Sequence, residues 1–197
     1  MTPFVTVTSR AVPLIRDNID TDAIIPSREM KSVSKRGLSA GLFAGWRYTA
    51  PGTRDPDRDF VLNDPAYAGA CILLGGANFG CGSSREHAAW ALAEYGFRVV
   101  IAASFNPIFR GNCVRNGIVP IELDTAPIAI DPGSITVDLP ARTVTAASGQ
   151  FWTFAIDDEA SAMLIGGLDA IDLTFTRRDE IEAFRAADRT RRPWAYL

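Results

Sequence analysis

The sequence predicts a single α/β domain of 197 residues, with a parallel β-α-β core and a small additional β layer. Residues 70–74 and 97–103 predict core strands, because short unbroken apolar runs suit strands that are covered on both faces. A helical pattern that ends at Gly96 separates the two runs, as in a parallel β-α-β unit. Alternating segments between residues 134 and 156 predict the antiparallel layer.

The composition is that of an ordinary globular protein, with 22% charged residues and a formal net charge of −3. This balance indicates neither a nucleic-acid surface nor a membrane-binding surface. No apolar run is long enough to span a bilayer, and the first residues lack the pattern of an export signal. We therefore expect a cytoplasmic protein that binds neither nucleic acid nor membrane.

The three cysteines, Cys71, Cys81 and Cys113, are odd in number and widely spaced. This pattern argues against a disulfide framework and fits a reducing compartment. An iron–sulfur cluster needs three or four cysteines at characteristic spacings, and these positions do not have them. We expect no metal site in this chain.

The N-terminal part predicts a strand and then a polar loop region. Residues 4–8 alternate like a strand and lead to a polar turn that ends at Asp22, which by turn statistics alone is a cap for the next segment. Residues 27–59 form an irregular, substrate-side loop region that contains Lys35 and Arg36. A basic loop suits an acidic substrate, although runs of charge are usually solvated faces.

Residues 75–88 join the first core strand to the helix. Four glycines in this stretch permit positive φ angles and a close approach of backbone to ligand. Helix-start amides attract carboxylate or phosphate, and Arg85 adds a forked cation that matches a carboxylate. The stretch therefore predicts an anion site with the hydroxyl groups of Ser83 and Ser84 beside it.

Structural roles compete with this interpretation. Ser83 and Glu86 have the spacing of a capping box, in which both side chains only satisfy helix-end amides. His87 is the only histidine, and a single histidine more often packs or hydrogen-bonds than catalyses. Cys81 has no CxxC partner, and a lone cysteine is usually inert. Spacing alone leaves these alternatives open.

The elements after the helix build on the same sheet. Residues 104–106 follow the second core strand. We expect them beside the turn at residues 75–88 (the signature turn), because parallel strands end at one edge of the sheet. The remaining patterns predict a helix at 108–116, an edge strand at 118–121, helices at 157–164 and 178–187, and a C-terminal helix and tail over 178–197.

Several motifs carry a resemblance to a known superfamily. Residues 78–88 closely resemble the signature of the aconitase superfamily swivelling domain, and residues 20–26 resemble its Asp-Thr-Asp-x-Ile-Ile-Pro segment. Residues 41–48 and 192–194 are similar to the small-subunit family of bacterial 3-isopropylmalate dehydratases. The resemblance runs from residue 12 to the C-terminus and implies one swivelling-type β/β/α domain over residues 1–197.

The resemblance implies roles for the matching residues of the signature. In such proteins the serine that matches Ser83 is the base and acts as an alkoxide. The aspartate that matches Asp22 belongs to the active-site environment. Ser84 and Arg85 match the groups that hold a substrate carboxylate.

The same resemblance implies a substrate-binding cation in the loop region and a set of supporting residues. Either Lys35 or Arg36 could match the position of a substrate-binding arginine, because bacterial small subunits commonly show Arg-Thr-Gly where this chain has Lys-Arg-Gly. The supporting positions are Asn78, Gly80, Gly82, Glu86 and His87.

The resemblance further implies a hydro-lyase that works as a pair of subunits. Such enzymes isomerise 2-isopropylmalate and 3-isopropylmalate, small dicarboxylic hydroxy acids, by dehydration and rehydration in leucine biosynthesis. The chain itself is expected to bind no cofactor, and a [4Fe–4S] cluster is expected on the partner large subunit. We expect a heterodimer or heterotetramer with the large subunit, and no activity from this chain alone.

Two other functions remain open at this point. A related hydro-lyase for citramalate, maleate derivatives or homoaconitate has the same signature. A free-standing anion-binding module is compatible with the loop alone. The missing Gly-Lys-Ser/Thr ending of a P-loop and the second match at residues 20–26 argue against that module.

Overall fold

The computed structural model describes residues 1–31, 34–131 and 133–196, so residues 32 and 33 of the predicted loop region and residue 197 of the tail lie outside it. The strands are β1 (Thr6–Pro13), β2 (Ile72–Leu74), β3 (Val99–Ala102), β4 (Val119–Glu122), β5 (Ser134–Asp138), β6 (Thr143–Thr145) and β7 (Phe151–Thr153). The α-helices are α1 (Thr21–Ile24), α2 (Ala44–Arg47), α3 (Glu86–Tyr95), α4 (Pro107–Arg115), α5 (Ala126–Ala129), α6 (Asp158–Gly166), α7 (Ala170–Phe175) and α8 (Arg178–Arg191). Short 3-10 helices span Ser27–Glu29, Ser39–Gly41, Val61–Asn63, Pro65–Tyr67 and Pro193–Ala195.

Strand β1 connects a parallel part of the sheet to an antiparallel part. The strand order is β4-β3-β2-β1-β5-β6-β7, with β1 to β4 parallel and β5 to β7 antiparallel. Residues 11–13 of β1 pair with β2, whereas residues 6–10 pair with β5. Pro120 lies in the edge strand β4, where a missing N–H is tolerated.

The side chains of the parallel strands alternate between two hydrophobic clusters. Leu73 and Val100 face a cluster that includes Ala88 and Leu92 of α3. Their neighbours, such as Ile72, face a second cluster that contains side chains of β5 and β6. A parallel layer therefore lies between helices and an antiparallel layer, because successive strand residues point to opposite faces. The predicted α/β class, with its parallel core and additional β layer, is confirmed.

Helix α3 orients the signature stretch. It begins at Glu86 and ends at Tyr95, and Gly96 caps it with φ +117° and donates its N–H to the carbonyls of Leu92 and Ala93. Its buried face is small and apolar, so the helix packs closely on the parallel sheet. The helix start is thereby fixed at the carboxyl edge of β2, where ligands bind in such sheets.

Helix α4 closes the core beneath the signature turn. Asn106 caps it by accepting hydrogen bonds from the N–H groups of Ile108 and Phe109, and Pro107 occupies the first position, which needs no N–H. Phe109 then packs against Gly80, where an added Cβ would lie 2.1 Å from the ring. Gly80 also has φ +76°, so both space and backbone conformation require glycine.

The C-terminal region differs in part from the predictions. Helix α7 was not predicted from the sequence, and α8 extends beyond the predicted helix to Arg191. Near its end, Arg192 donates two hydrogen bonds to Asp188, at 2.7 and 2.8 Å, so this arginine is paired within its own helix end. No helix in the described residues is long and apolar enough to cross a membrane.

We predict that Gly80→Ala destabilises the fold by about 2–4 kcal/mol, because a side chain at positive φ must also displace Phe109. The matched control is Gly45→Ala in α2, where an added Cβ meets nothing within 4 Å and no positive φ is required. We expect that control to be neutral or stabilising by up to about 1 kcal/mol. Urea unfolding at an unchanged m-value measures both, and equal midpoints would contradict the prediction.

Candidate active site

Two loops at the carboxyl ends of β1 and β2 run side by side and share backbone hydrogen bonds. The N–H of Gly80 donates to the carbonyl of Ile19 at 2.7 Å, and the N–H of Thr21 donates to the carbonyl of Cys81 at 2.9 Å. Asp20 and Cys81 form a parallel bridge between these hydrogen bonds. The two sequence motifs are therefore parts of one local structure.

The aspartates of the first loop have separate roles. Asp20 caps α1, because its carboxylate accepts a hydrogen bond from the N–H of Ala23 at 2.6 Å. The interpretation of Asp22 as a cap is therefore wrong. The Asp22 side chain is 54% exposed and forms an ion pair and hydrogen bond with the guanidinium of Arg85.

Thr21 is a residue that sequence reasoning missed. Its side chain is buried, and its hydroxyl donates a hydrogen bond to the carbonyl of Ser83 at 2.8 Å. In the sequence, Thr21 stands between Asp20 and Asp22. A threonine in that position predicts a turn residue, so its hydrogen bond to Ser83 was not predicted. Thr21 fixes the backbone that carries the proposed base.

Ser83 does not form a capping box with Glu86. Helix α3 begins at Glu86, its N-cap is Arg85, and no side chain caps its start. The Glu86 carboxylate instead accepts a hydrogen bond from the side-chain amide of Asn116 at 2.9 Å, which holds its pKa below the usual value. Ser83 and Ser84 are both exposed.

Asn78 and Gly82 shape the turn around these serines. Asn78 has φ +55°, and its side-chain amide donates to the side-chain oxygen of Asn18 at 2.8 Å. Its own N–H donates to the hydroxyl of Ser104 at 2.8 Å. Gly82 has φ +85°, and an added Cβ would lie 3.3 Å from Asp20. These contacts fix the turn from both neighbouring strands.

The residues after β3 lie where the parallel topology predicts. Phe79 forms a parallel bridge with Phe105, and the N–H of Asn106 donates to the carbonyl of Phe79 at 2.9 Å. The predicted position of residues 104–106 beside the signature turn is confirmed. In this structure they support the turn through the backbone.

An open depression of about 690 Å³ lies at the start of α3. His87 is half-buried on its wall, and its ring centroid lies 4.6 Å from that of Trp90. This contact gives His87 a packing role at the rim. The depression is lined by Met30, Lys31, Ser84, Arg85, Glu86, His87 and Trp90.

Lys35 and Arg36, the two candidate cations of the loop region, lie next to different turns of α3. The ammonium group of Lys35 donates to the side-chain oxygen of Asn116 at 3.1 Å and lies 5.2 Å from the ring centroid of Trp90. Arg36 directly precedes Gly37, whose N–H donates to the carboxylate of Glu94 near the other end of the helix. Lys35 is therefore nearer to the helix start than Arg36.

Within residues 1–31, 34–131 and 133–196, no group of three histidine, cysteine or acidic side chains is arranged to hold a metal ion. The cysteines are distributed over three elements: Cys71 precedes β2, Cys81 lies in the signature turn and Cys113 lies in α4. Burial raises the pKa of the Cys113 thiol far above its usual value, which makes it unreactive. The donor set does not fit an iron–sulfur cluster.

Comparison with known proteins identifies close relatives. The Aconitase C-terminal domain model matches residues 1–126, and the LeuD_N model matches residues 129–158. The 3-isopropylmalate dehydratase small subunit of Cupriavidus necator is 52% identical over 206 residues, covering 100% of this chain and 99% of the relative. The small subunit of Neisseria meningitidis serogroup C is 44% identical over 211 residues, with 100% and 99% coverage.

A solved structure supports the same relationship. The crystal structure of a 3-isopropylmalate dehydratase from Methanocaldococcus jannaschii matches with a TM-score of 0.68 and 25% identity. The match covers 91% of this chain and 99% of that chain. The resemblance predicted from the motifs is confirmed, and the chain belongs to the 3-isopropylmalate dehydratase small-subunit family, whose members share the Aconitase C-terminal domain.

Proposed function

We propose that this chain supplies the base and the carboxylate-binding groups of a 3-isopropylmalate dehydratase. One observation carries the proposal: Ser83 and Ser84 are exposed, free of a capping role, and adjacent to the Arg85–Asp22 pair. The relatives named as small subunits of this enzyme support it. The reaction interconverts 2-isopropylmalate and 3-isopropylmalate by dehydration and rehydration, a step of leucine biosynthesis.

Ser83 is the proposed base that removes the proton from a substrate carbon. A serine hydroxyl is a weak base unless its surroundings stabilise the alkoxide. The neighbouring guanidinium of Arg85 and the N–H groups at the start of α3 provide that stabilisation once water is excluded. The hydrogen bond from Thr21 to the Ser83 carbonyl keeps the serine in place.

Arg85 and Ser84 are the proposed carboxylate-binding groups. A guanidinium has five N–H donors, so its contact with Asp22 still permits a bidentate contact with a substrate carboxylate. Asp22 orients the guanidinium from the opposite loop, which is a role compatible with its predicted place in the active site. Lys31, on the wall of the depression, adds positive charge near the entering dicarboxylate.

The family implies a [4Fe–4S] cluster as the electrophile that takes the hydroxide. The residues of this chain do not fit that group, because its three cysteines lie in separate elements and Cys113 is buried. We place the cluster on the large subunit, which would cover the open depression. We propose that the two subunits form a heterodimer or heterotetramer. We further propose that this complex is located in the cytoplasm.

Ser83→Ala is expected to lower kcat of the two-subunit enzyme by about 10²–10⁴-fold, because proton abstraction loses its base. KM, the melting temperature and assembly with the large subunit are expected to stay unchanged, since Ser83 caps no helix. Steady-state kinetics, thermal unfolding and size-exclusion chromatography measure these quantities. The control is Ser134→Ala on the exposed start of β5, and a fall in Tm for Ser83→Ala alone would indicate a structural role.

The purified chain is expected to show no isomerase activity until the large subunit with its cluster is added anaerobically. The reason is that these residues supply only the base and the anion-binding groups. Turnover should be measured on 3-isopropylmalate and on citramalate with the same preparation. Activity from the iron-free chain alone would contradict the divided site, and faster turnover on citramalate would favour a related hydro-lyase.

A further inference from the structure

We infer that Glu94 is a positioning residue for the loop cations Lys35 and Arg36. Its carboxylate binds the backbone that follows these two residues directly, at positions 37–39. This inference rests on the proposed function, since it concerns binding of the dicarboxylate substrate. It assigns a task to an exposed acid that belongs to neither sequence motif.

Three consecutive N–H groups converge on the Glu94 carboxylate. One oxygen accepts from Gly37 at 2.6 Å, and the other accepts from Leu38 and from Ser39, the latter at 2.8 Å. Gly37 has φ +86°, the left-handed conformation that lets successive amides point to one side. An added Cβ on Gly37 meets nothing within 4 Å, so its conformation alone requires glycine there.

The hydrogen-bonded contact of Glu94 with residues 37–39, the Glu94 anchor, joins two packed segments. Leu38 is only 2% exposed, and the residues after it form the 3-10 helix Ser39–Gly41. Glu94 lies on α3, whose buried face packs on the sheet. It stands eight residues after Glu86, which corresponds to about 12 Å along the helix axis. One helix thereby carries Arg85 at its start and holds the cation-bearing loop near its end.

The charge of Glu94 strengthens this anchor. Partial burial raises the pKa of the carboxyl, but the N–H groups of Gly37, Ser39 and Leu38 outweigh it and hold the pKa below the usual value. The group is therefore ionised at neutral pH, and hydrogen bonds to an ionised acceptor are stronger than neutral ones. A glutamine at this position keeps one acceptor oxygen and turns an N–H donor toward backbone N–H groups.

Lys35 is held between this anchor and the site. Its ammonium group reaches Asn116, and the amide of Asn116 binds Glu86 at the first turn of α3. A shift of the backbone at residues 37–39 would therefore move Lys35 away from the helix start. If Glu94 acted only by neutralising Arg36, its removal would free a cation and strengthen substrate binding instead.

The test compares Glu94→Gln with wild type in the reconstituted two-subunit enzyme. We expect KM for 3-isopropylmalate to rise about tenfold, equivalent to one lost charge-assisted hydrogen bond, with kcat within about twofold. Glu180→Gln on the exposed face of α8 is the matched control and is expected to leave both constants unchanged. Hydrogen exchange of the N–H groups at 37–39 should accelerate in Glu94→Gln and stay unchanged in Glu180→Gln.

Gly37→Ala approaches the same anchor from the loop side and is expected to raise KM in the same way, because its φ of +86° becomes strained. Combined with Glu94→Gln, its effect should be less than additive. The inference is overturned if Glu94→Gln leaves KM unchanged, lowers KM, or lowers kcat by as large a factor as it raises KM. An inactive wild-type pair overturns the proposed function instead, so the two failures are distinguishable.

Discussion

The backbone pairing between residues 18–21 and 77–81 is the constraint on which the candidate site depends. These loops leave neighbouring parallel strands, and their mutual hydrogen bonds replace contacts with water at the sheet edge. The pairing needs Gly80 at positive φ, with Phe109 packed against it. Asp22 and Arg85 come from different loops, so their contact exists only because this pairing sets the register.

The openness of the site has a chemical consequence. An alkoxide at Ser83 is strongly disfavoured in water, and the exposed position of this serine gives it no protection from solvent. Preorganised donors stabilise an anion far more in a water-excluded site than at a surface. Under the proposed function, a partner surface over this face would exclude water from Ser83 as well as bring the electrophile. The proposed function thus couples activation of Ser83 to assembly with the large subunit.

The sequence predicts the elements with local signals and misses those that depend on distant contacts. Apolar runs and Gly96 predict α3 and the strands on either side of it, because periodicity and capping are local. The contact of Thr21 with Ser83 spans 62 positions, and that of Glu94 with Gly37 spans 57. Spacing also permitted a capping box at Ser83, but Asn116 binds Glu86 from 30 positions away. Tertiary partners decided these roles.

The position of Arg85 argues that the site is kept for its chemistry. A cation at the N-terminus of a helix faces the positive end of the helix dipole, which costs about 0.3–1 kcal/mol. The pair with Asp22 offsets a similar amount, because ion pairs with an exposed partner contribute about 0–1 kcal/mol. These two contributions therefore nearly cancel. The same charge next to helix-start N–H groups is favourable when an anion binds, which supports the carboxylate-binding role proposed for Arg85.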